Sequence, residues 1–395
     1  EKKTSLEYAI EVAIDQTTGT WTPVPEETEQ VKQMHRARVV GVYDIPCEEP
    51  NPESRTCVFQ IAFPHVNFGP SMAMLFSTVL GNNSSMGLIK LVDLQFPKKY
   101  VEAFQGPKFG VEGVRKFLNV PDRPLLCNMI KPCTGIPAKV GAELAYKAAI
   151  GGADFIKDDE LLANADFSSI AERTRLFISA LKQADDSKGE KTIYLLNVTD
   201  RPDKMVEHAL RAVEAGANGL MINYITTGFD AVRMITEHKD IQVPVLGHCT
   251  MSGAYSMALW NGVDTSLLVG KLPRMMGLDI SLIYMPGGRF FLTDENYHRA
   301  VNMLRQDFYQ LSPAFPMPGG SIHPAVVKDI IEKTGKDCVI SAGGGIHGHP
   351  MGSTKGAVAM RQAIELALCE PDEAAQRQVG YQEYQVAVQK WGKKD

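Results

Sequence analysis

The sequence predicts an α/β fold, a (β/α)8 TIM barrel preceded by a smaller amino-terminal α+β domain. Its 395 residues exceed the roughly 250 of a bare barrel by about one small domain. From about residue 119 onward, eight short apolar runs alternate with helical segments, the rhythm of a parallel sheet closed on itself. No GxGxxG follows the first run, which argues against an open doubly wound sheet.

The predicted first domain covers residues 1–118. Lys2–Ile14 reads as a helix already under way, so further residues are expected upstream. Ala37–Tyr43 and Cys57–Phe63 read as strands and Ser71–Leu80 as an apolar helix. Pro107 and Gly110 punctuate the end of this domain, with the boundary near Asn119–Pro124. The predicted barrel covers 119–395. Its strand-like runs are Leu125–Ile130, Ala153–Ile156, Thr192–Asn197, Gly219–Asn223, Val243–Gly247, Ser266–Val269, Ala314–Met317 and Cys338–Ser341. Asp372–Asp395 is polar and helical in pattern and is expected outside the barrel.

A formal net charge of -5 gives no electrostatic reason for a nucleic-acid or acidic-membrane partner. No apolar run reaches the ~18 residues of a membrane span, and the first residues do not resemble a signal peptide. Seven cysteines without a CxxC pair fit a reduced, cytoplasmic protein.

Catalytic groups of a barrel stand at the carboxyl ends of its strands. The first run is followed by Lys131-Pro132, the second by Lys157-Asp158-Asp159-Glu160 and the fifth by His248. Gly270-Lys271 follows the sixth, Gly319-Gly320-Ser321 the seventh and Gly343-Gly344-Gly345 the eighth. Glycine lets backbone N–H groups approach a phosphate, and the loops after strands seven and eight are the common barrel phosphate site. His347 and His349 are expected to be loop structure, and Met275 and Met276 packing.

The second cluster admits two readings. Asp159 and Glu160 offer the oxygen ligands that Mg2+ requires, and Lys157 would join them if its neutral amine captured CO2 as an anionic carbamate. Alternatively, Asp158 or Asp159 caps the next helix while Lys157 pairs with Glu160.

The stretch Gly152-Ala153-Asp154-Phe155-Ile156-Lys157-Asp158-Asp159-Glu160 resembles the metal motif of the ribulose-bisphosphate carboxylase (RuBisCO) large-subunit superfamily. The resemblance extends over nearly the whole chain. Thr18-Gly19-Thr20-Trp21-Thr22, Gly81-Asn82, Ile130-Lys131-Pro132, Val269-Gly270-Lys271-Leu272, and Gly343-Gly344-Gly345 with His349-Pro350 fall in the family's order. It implies a carbamate on Lys157 that binds Mg2+ with Asp159 and Glu160. It also implies catalytic roles for Lys131, His248 and Lys271, and substrate or phosphate contacts at Thr20, Trp21, Asn82, Gly319, Gly320, Gly343 and Gly344. A homodimer or larger assembly follows, in which Asp15, Thr20, Trp21 and Asn82 reach a neighbouring subunit's site.

Departures from the carboxylases narrow the chemistry. Cys133 stands where they carry a second lysine, Cys249 where they carry an arginine, and Asp264 where a histidine holds the second phosphate. Asp15 replaces a glutamate and Pro318 a serine. Each charge-assisted phosphate contact is worth roughly 1.5–3 kcal/mol, so losing two weakens a bisphosphate at least about a hundredfold. The chain therefore resembles the RuBisCO-like proteins (form IV), which enolise a substrate without fixing CO2. The expected substrate is a mono-phosphorylated sugar or sugar acid, isomerised, tautomerised or decarboxylated through an enolate. Lys131, with a lowered proton affinity, is the expected base, with the Lys157 carbamate and His248 as alternatives. Within that group, the methionine-salvage enolase of 2,3-diketo-5-methylthiopentyl-1-phosphate carries a lysine where this chain has Asn82. A methylthioribulose-phosphate isomerase, an authentic carboxylase and a non-catalytic binding protein are the competing readings.

Overall fold

A capping box opens the first helix, Ser5–Asp15, in the computed structural model, which describes residues 3–20, 22–46 and 56–392. Thr4 Oγ1 accepts from Glu7 N at 3.2 Å, while the Glu7 carboxylate accepts from Thr4 N at 2.8 Å, so two helix-end donors are satisfied reciprocally. Ala9, Val12 and Ala13 form its buried stripe. An antiparallel ribbon follows, Arg38–Asp44 against Cys57–Ala62, with a register shift between Val39 and Gly41. Met72–Val79 is helical, capped by the Ser71 hydroxyl. These elements belong to one compact unit, residues 1–103, joined by Ala258–Gly262. That short segment is tied in by Lys90 Nζ on Ala258 O (2.7 Å) and by Gly262 N on Ile89 O (3.2 Å).

The second unit begins at Phe104 and contains the barrel. The helix Gly110–Leu118, assigned by sequence to the first domain, packs with the barrel instead. Asp279 is the reason. Its Oδ1 accepts from Phe109 N (2.7 Å) and Gly110 N (2.8 Å), and its Oδ2 from Val245 N (2.9 Å). Arg115 fastens the same helix to Asp337 at 2.6 Å.

Eight parallel strands close the barrel: Leu125–Met129, Phe155–Lys157, Ile193–Asn197, Leu220–Asn223, Val245–His248, Ile280–Tyr284, Phe315–Gly319 and Val339–Ala342. Seven of the eight predicted runs coincide with them. The sixth does not. Ser266–Val269, expected as a strand, enters the helical stretch Leu267–Lys271, and the sixth strand lies downstream at Ile280–Tyr284. Leu267, Leu268 and Val269 are all buried. A short apolar run buried on every side cannot be told from a strand by periodicity.

The strands are buried over nearly their whole length, with Leu125, Ile156, Leu195, Leu220, Leu246, Ile280, Phe315 and Ile340 inaccessible to solvent. Each such side chain contributes on the order of 1.5–3 kcal/mol relative to exposure. The carboxyl-terminal helices Pro371–Gly380 and Gln382–Trp391 lie outside the barrel. The latter docks on Ser353–Leu368 through Gln362, whose amide bonds Tyr384 N and Glu383 Oε2. Among the described residues, no helix is long and apolar enough to cross a membrane.

Candidate active site

The second strand ends in a segment whose side chains take alternate directions. Asp158 turns into the barrel wall, where it accepts from Tyr194 OH (2.7 Å), Arg173 Nε (3.2 Å) and Asn197 N (3.0 Å). Asn197 closes the arrangement by donating to Asp159 O (3.3 Å) and Leu162 O (3.2 Å). With Asp158 anchored, Lys157, Asp159 and Glu160 are presented at the mouth.

Lys157 is fully buried. Its Nζ makes one hydrogen bond, to Asp158 O at 2.7 Å, and approaches Glu160 Oε2 at 3.7 Å. Asp159 is bound from strand one: Lys131 Nζ stands 2.6 Å from Asp159 Oδ2 and donates to Cys133 Sγ at 3.0 Å. The Lys131 ammonium is consequently held above the usual lysine range. Burial opposes its charge, but Asp159 and Cys133 outweigh that. This reverses the expected lowered value. Asp159 is held below the usual range, because Lys131 and Lys157 overcome the effect of its own burial.

Glu160 links strand two to strand five. Its Oε2 lies 3.3 Å from His248 Nε2, and His248 Nδ1 lies 2.7 Å from Thr250 Oγ1. Burial, and then the positive neighbours Lys157 and Lys131, push the imidazole well below its ordinary value. A neutral ring facing a carboxylate donates through Nε2 and accepts the Thr250 hydroxyl at Nδ1.

The glycine after strand eight shapes the same cluster. A Cβ at Gly343 would lie 3.0 Å from Lys131 Cε and 3.3 Å from Met129 O, so glycine makes room for that lysine. Gly345 packs against Ile322 O, where a Cβ would come within 2.3 Å, while Gly344 is open. His347, expected in a loop, instead ends the short helix Gly344–His347, where it is anchored through Asn128 and Ser353. Gly319 ends strand seven, and its carbonyl accepts from Met285 N at 3.0 Å. Gly320 lies against Phe290.

The structure thus gathers Lys131, Lys157, Asp159, Glu160, His248 and Gly343. It does not place Lys271 past the sixth strand; Lys271 is buried on the helical stretch that precedes it. Thr20 and Asn82 lie in the amino-terminal unit, Thr20 with its hydroxyl on Thr22 O and Asn82 opening the turn Asn82–Ser85. Trp21 lies outside the described residues. Because the sixth strand was misplaced, the sequence reading missed Tyr284 and the loop behind it. Phe290 stacks on Tyr284 with centroids 3.8 Å apart, and the Arg289 guanidinium lies 5.2 Å from the Phe290 ring. Asn223, at the end of strand four, was also missed; its Nδ2 donates to Glu160 O at 2.9 Å.

The substituted positions are visible as well. Cys249 is buried, which pushes its thiol up to about 12 and leaves it neutral. Asp264 Oδ1 accepts from Ser266 N (2.9 Å) and Ser266 Oγ (2.6 Å), while its Oδ2 lies 3.5 Å from Arg299. Among the described residues, no three His, Cys, Asp or Glu side chains converge as a metal site.

The family profile "Ribulose bisphosphate carboxylase large chain, catalytic domain" matches residues 110–391, and the corresponding amino-terminal domain profile matches residues 1–100. A ribulose bisphosphate carboxylase-like protein of Archaeoglobus fulgidus is 49% identical over 361 residues, covering 90% of this chain and 83% of that protein. A 2,3-diketo-5-methylthiopentyl-1-phosphate enolase of Bacillus cytotoxicus is 35% identical, covering 97% of this chain and 93% of that protein. The crystal structure of a rubisco-like protein from Alicyclobacillus acidocaldarius superimposes with a TM-score of 0.90 at 32% identity, covering 99% of this chain and 98% of that one.

Proposed function

The chain belongs to the ribulose bisphosphate carboxylase large-chain family, and from that premise we propose that it enolises a mono-phosphorylated sugar or sugar acid without fixing CO2. One observation carries this reading: a wholly buried lysine, Lys157, lies 3.7 Å from the Glu160 carboxylate and, among the described residues, has a single hydrogen bond, to a backbone carbonyl. An ammonium has three donors to satisfy, and this one has little to satisfy them with. A carbamate at Nζ replaces that ammonium with oxygen donors. Formally, the two amines and two carboxylates at the mouth sum to zero. Carbamylation of Lys157 changes its contribution from +1 to −1, which leaves −2, the complement of a divalent cation. Lys157 as carbamate, Asp159 and Glu160 would hold that ion, and hard oxygen donors of this kind suit Mg2+. When bound, Mg2+ polarises the substrate's oxygens and so acidifies the adjacent C–H.

The chain's own groups do the rest. Lys131 moves the proton. Its proton affinity is high in this arrangement because Asp159 faces it. With Asp159 engaged by a cation that attraction would be withdrawn, and burial close to that positive charge would then favour the neutral amine. Returned to its charged form, the same amine donates to the enolate oxygen. Neutral His248 orients Glu160. Gly343 and Gly344, with Gly319 and Gly320, present backbone to one phosphate. The far end of the substrate lacks the carboxylases' arginine and histidine: Cys249 is buried and carries no positive charge to hold a second phosphate, and Asp264 is engaged with Ser266 and Arg299. A homodimer is the smallest active assembly in this reading.

The narrower assignment, the methylthiopentyl phosphate enolase, is favoured by the Bacillus relative and opposed by Asn82. The test is a screen of phosphorylated sugars and sugar acids for solvent deuterium uptake that requires both Mg2+ and bicarbonate, run beside ribulose bisphosphate with labelled CO2. Exchange without label incorporation is expected. Robust incorporation, or exchange indifferent to Mg2+ and bicarbonate, would overturn the proposal.

A further inference from the structure

We infer that Asn223 is a further residue of this site, its side-chain oxygen placed to accept a hydrogen bond from an O–H group that the cation would hold, such as a substrate hydroxyl. This role rests on the cation site proposed above. Asn223 ends the fourth barrel strand in register with His248 and is 6% exposed. Its backbone is fully engaged. The N–H donates to Thr199 Oγ1 at 2.9 Å, and the carbonyl accepts from Thr226 and Thr227 hydroxyls at 3.0 and 3.1 Å.

The side chain is engaged at one end only. Nδ2 donates to the Glu160 backbone carbonyl at 2.9 Å, which fixes how the amide faces, because the reversed amide would set oxygen against oxygen. Oδ1 is thereby committed to the other direction, and among the described residues no donor reaches it. Its neighbour Asn197, which ends strand three, shows what a structural asparagine looks like here. That amide donates to Asp159 O and Leu162 O, and its Oδ1 accepts from Thr199 N at 3.0 Å.

A neutral, buried acceptor selects a donor. Phosphate and carboxylate oxygens would meet Oδ1 as acceptor on acceptor, whereas an O–H acidified by a divalent ion would bond it strongly. The substrate should therefore carry a hydroxyl at the carbon held here, and its deoxy analogue should bind poorly, because that exchange leaves a buried acceptor unpaired.

The test uses the full chain, with Mn2+ as the spectroscopic probe in bicarbonate buffer, titrated by electron paramagnetic resonance. Asn223→Leu keeps the shape and removes both polar ends. Asn223→Asp keeps an acceptor but sets its second oxygen against the Glu160 carbonyl. An O–H acceptor role predicts about ten- to a hundredfold weaker Mn2+ binding for Asn223→Leu and binding at least as tight as the parent for Asn223→Asp. A role confined to anchoring Glu160 predicts that both variants weaken, Asn223→Asp at least as much. Parent-like binding by Asn223→Leu, or equal weakening of the two, overturns the inference while leaving the cation site intact. Failure of the parent to bind Mn2+ in a bicarbonate-dependent way overturns the site and Asn223 together. Should Asn223→Leu not fold, as judged by near-ultraviolet circular dichroism, weak binding by a folded Asn223→Asp overturns the inference and tight binding supports it.

Discussion

The second barrel strand has a buried aspartate beside each of its ends, and the two are held in opposite ways. At the entry, Asp154 takes both nitrogens of the Arg123 fork at 2.7 Å and Leu126 N at 2.8 Å. At the exit, Asp159 has one ammonium, Lys131 at 2.6 Å, and a longer bond of 3.2 Å from Leu161 N. A guanidinium fork matches a carboxylate in a single rigid geometry, while an ammonium is a point charge on a flexible stem. The entry end is built for permanence and the exit end for exchange. That division matches the general separation of stability and chemistry between the two faces of a barrel.

The contrast can be broken most easily at the entry. Asp154→Asn leaves Arg123 without its counter-charge and should cost about 3–5 kcal/mol in urea unfolding, with turnover per folded molecule preserved. A cost below about 1 kcal/mol, the range of an exposed pair, would remove the distinction.

A second measurement sharpens it at the exit through pH. Burial, with Lys131 nearby, pushes His347 down to about 4. The unfolded imidazole titrates near 6.5, so between those values the unfolded chain binds the proton more readily. Stability from this group is present above about pH 6.5 and lost as pH falls through about 4, amounting to as much as roughly 3 kcal/mol. Asp279, at the entry, has the opposite sign. Burial raises it to about 6, so its contribution is present below the unfolded value and lost as pH rises through about 6. Asp279 remains in His347→Gln and cancels in the difference. The stability of the parent should therefore fall more steeply than that of His347→Gln between pH 6.5 and 4, and parallel curves would contradict this.

The smallest effect on stability should come from the residue on which the proposed chemistry most depends. Lys157→Met removes a poorly satisfied buried charge at similar volume and should unfold within about 1 kcal/mol of the parent, or later. The same variant should lose any thermal shift caused by Mg2+ with bicarbonate. A large destabilisation would make Lys157 structural.

Most of this contrast was legible in the sequence at the level of strands. Seven runs ended where their apolar residues ended, and the groups following runs one, two and five did meet. What escaped were features that depend on neighbours distant in sequence. Leu267–Val269 looked like a strand because a buried helical turn has no polar face to betray it, and that error hid Tyr284 and Phe290. Phe104–Leu118 looked like part of the first domain because the bonds of Phe109 and Gly110 to Asp279 span about 170 positions. The proton affinity of Lys131 was misjudged because residue type does not say that Asp159 will face it. Asn223 carried no motif; its interest lies in one atom without a partner among the described residues.

The inward turn of Asp158 has a wider consequence. Tyr194, Arg173 and Asn197 hold it in place, so the backbone between Lys157 and Glu160 is riveted from beneath, independently of what the flanking side chains carry. A foundation of that kind separates tool from handle. Residues 157, 159 and 160 can be exchanged by mutation while the rivet keeps their Cα positions, so new chemistries can be tried on this rim without rebuilding the barrel below.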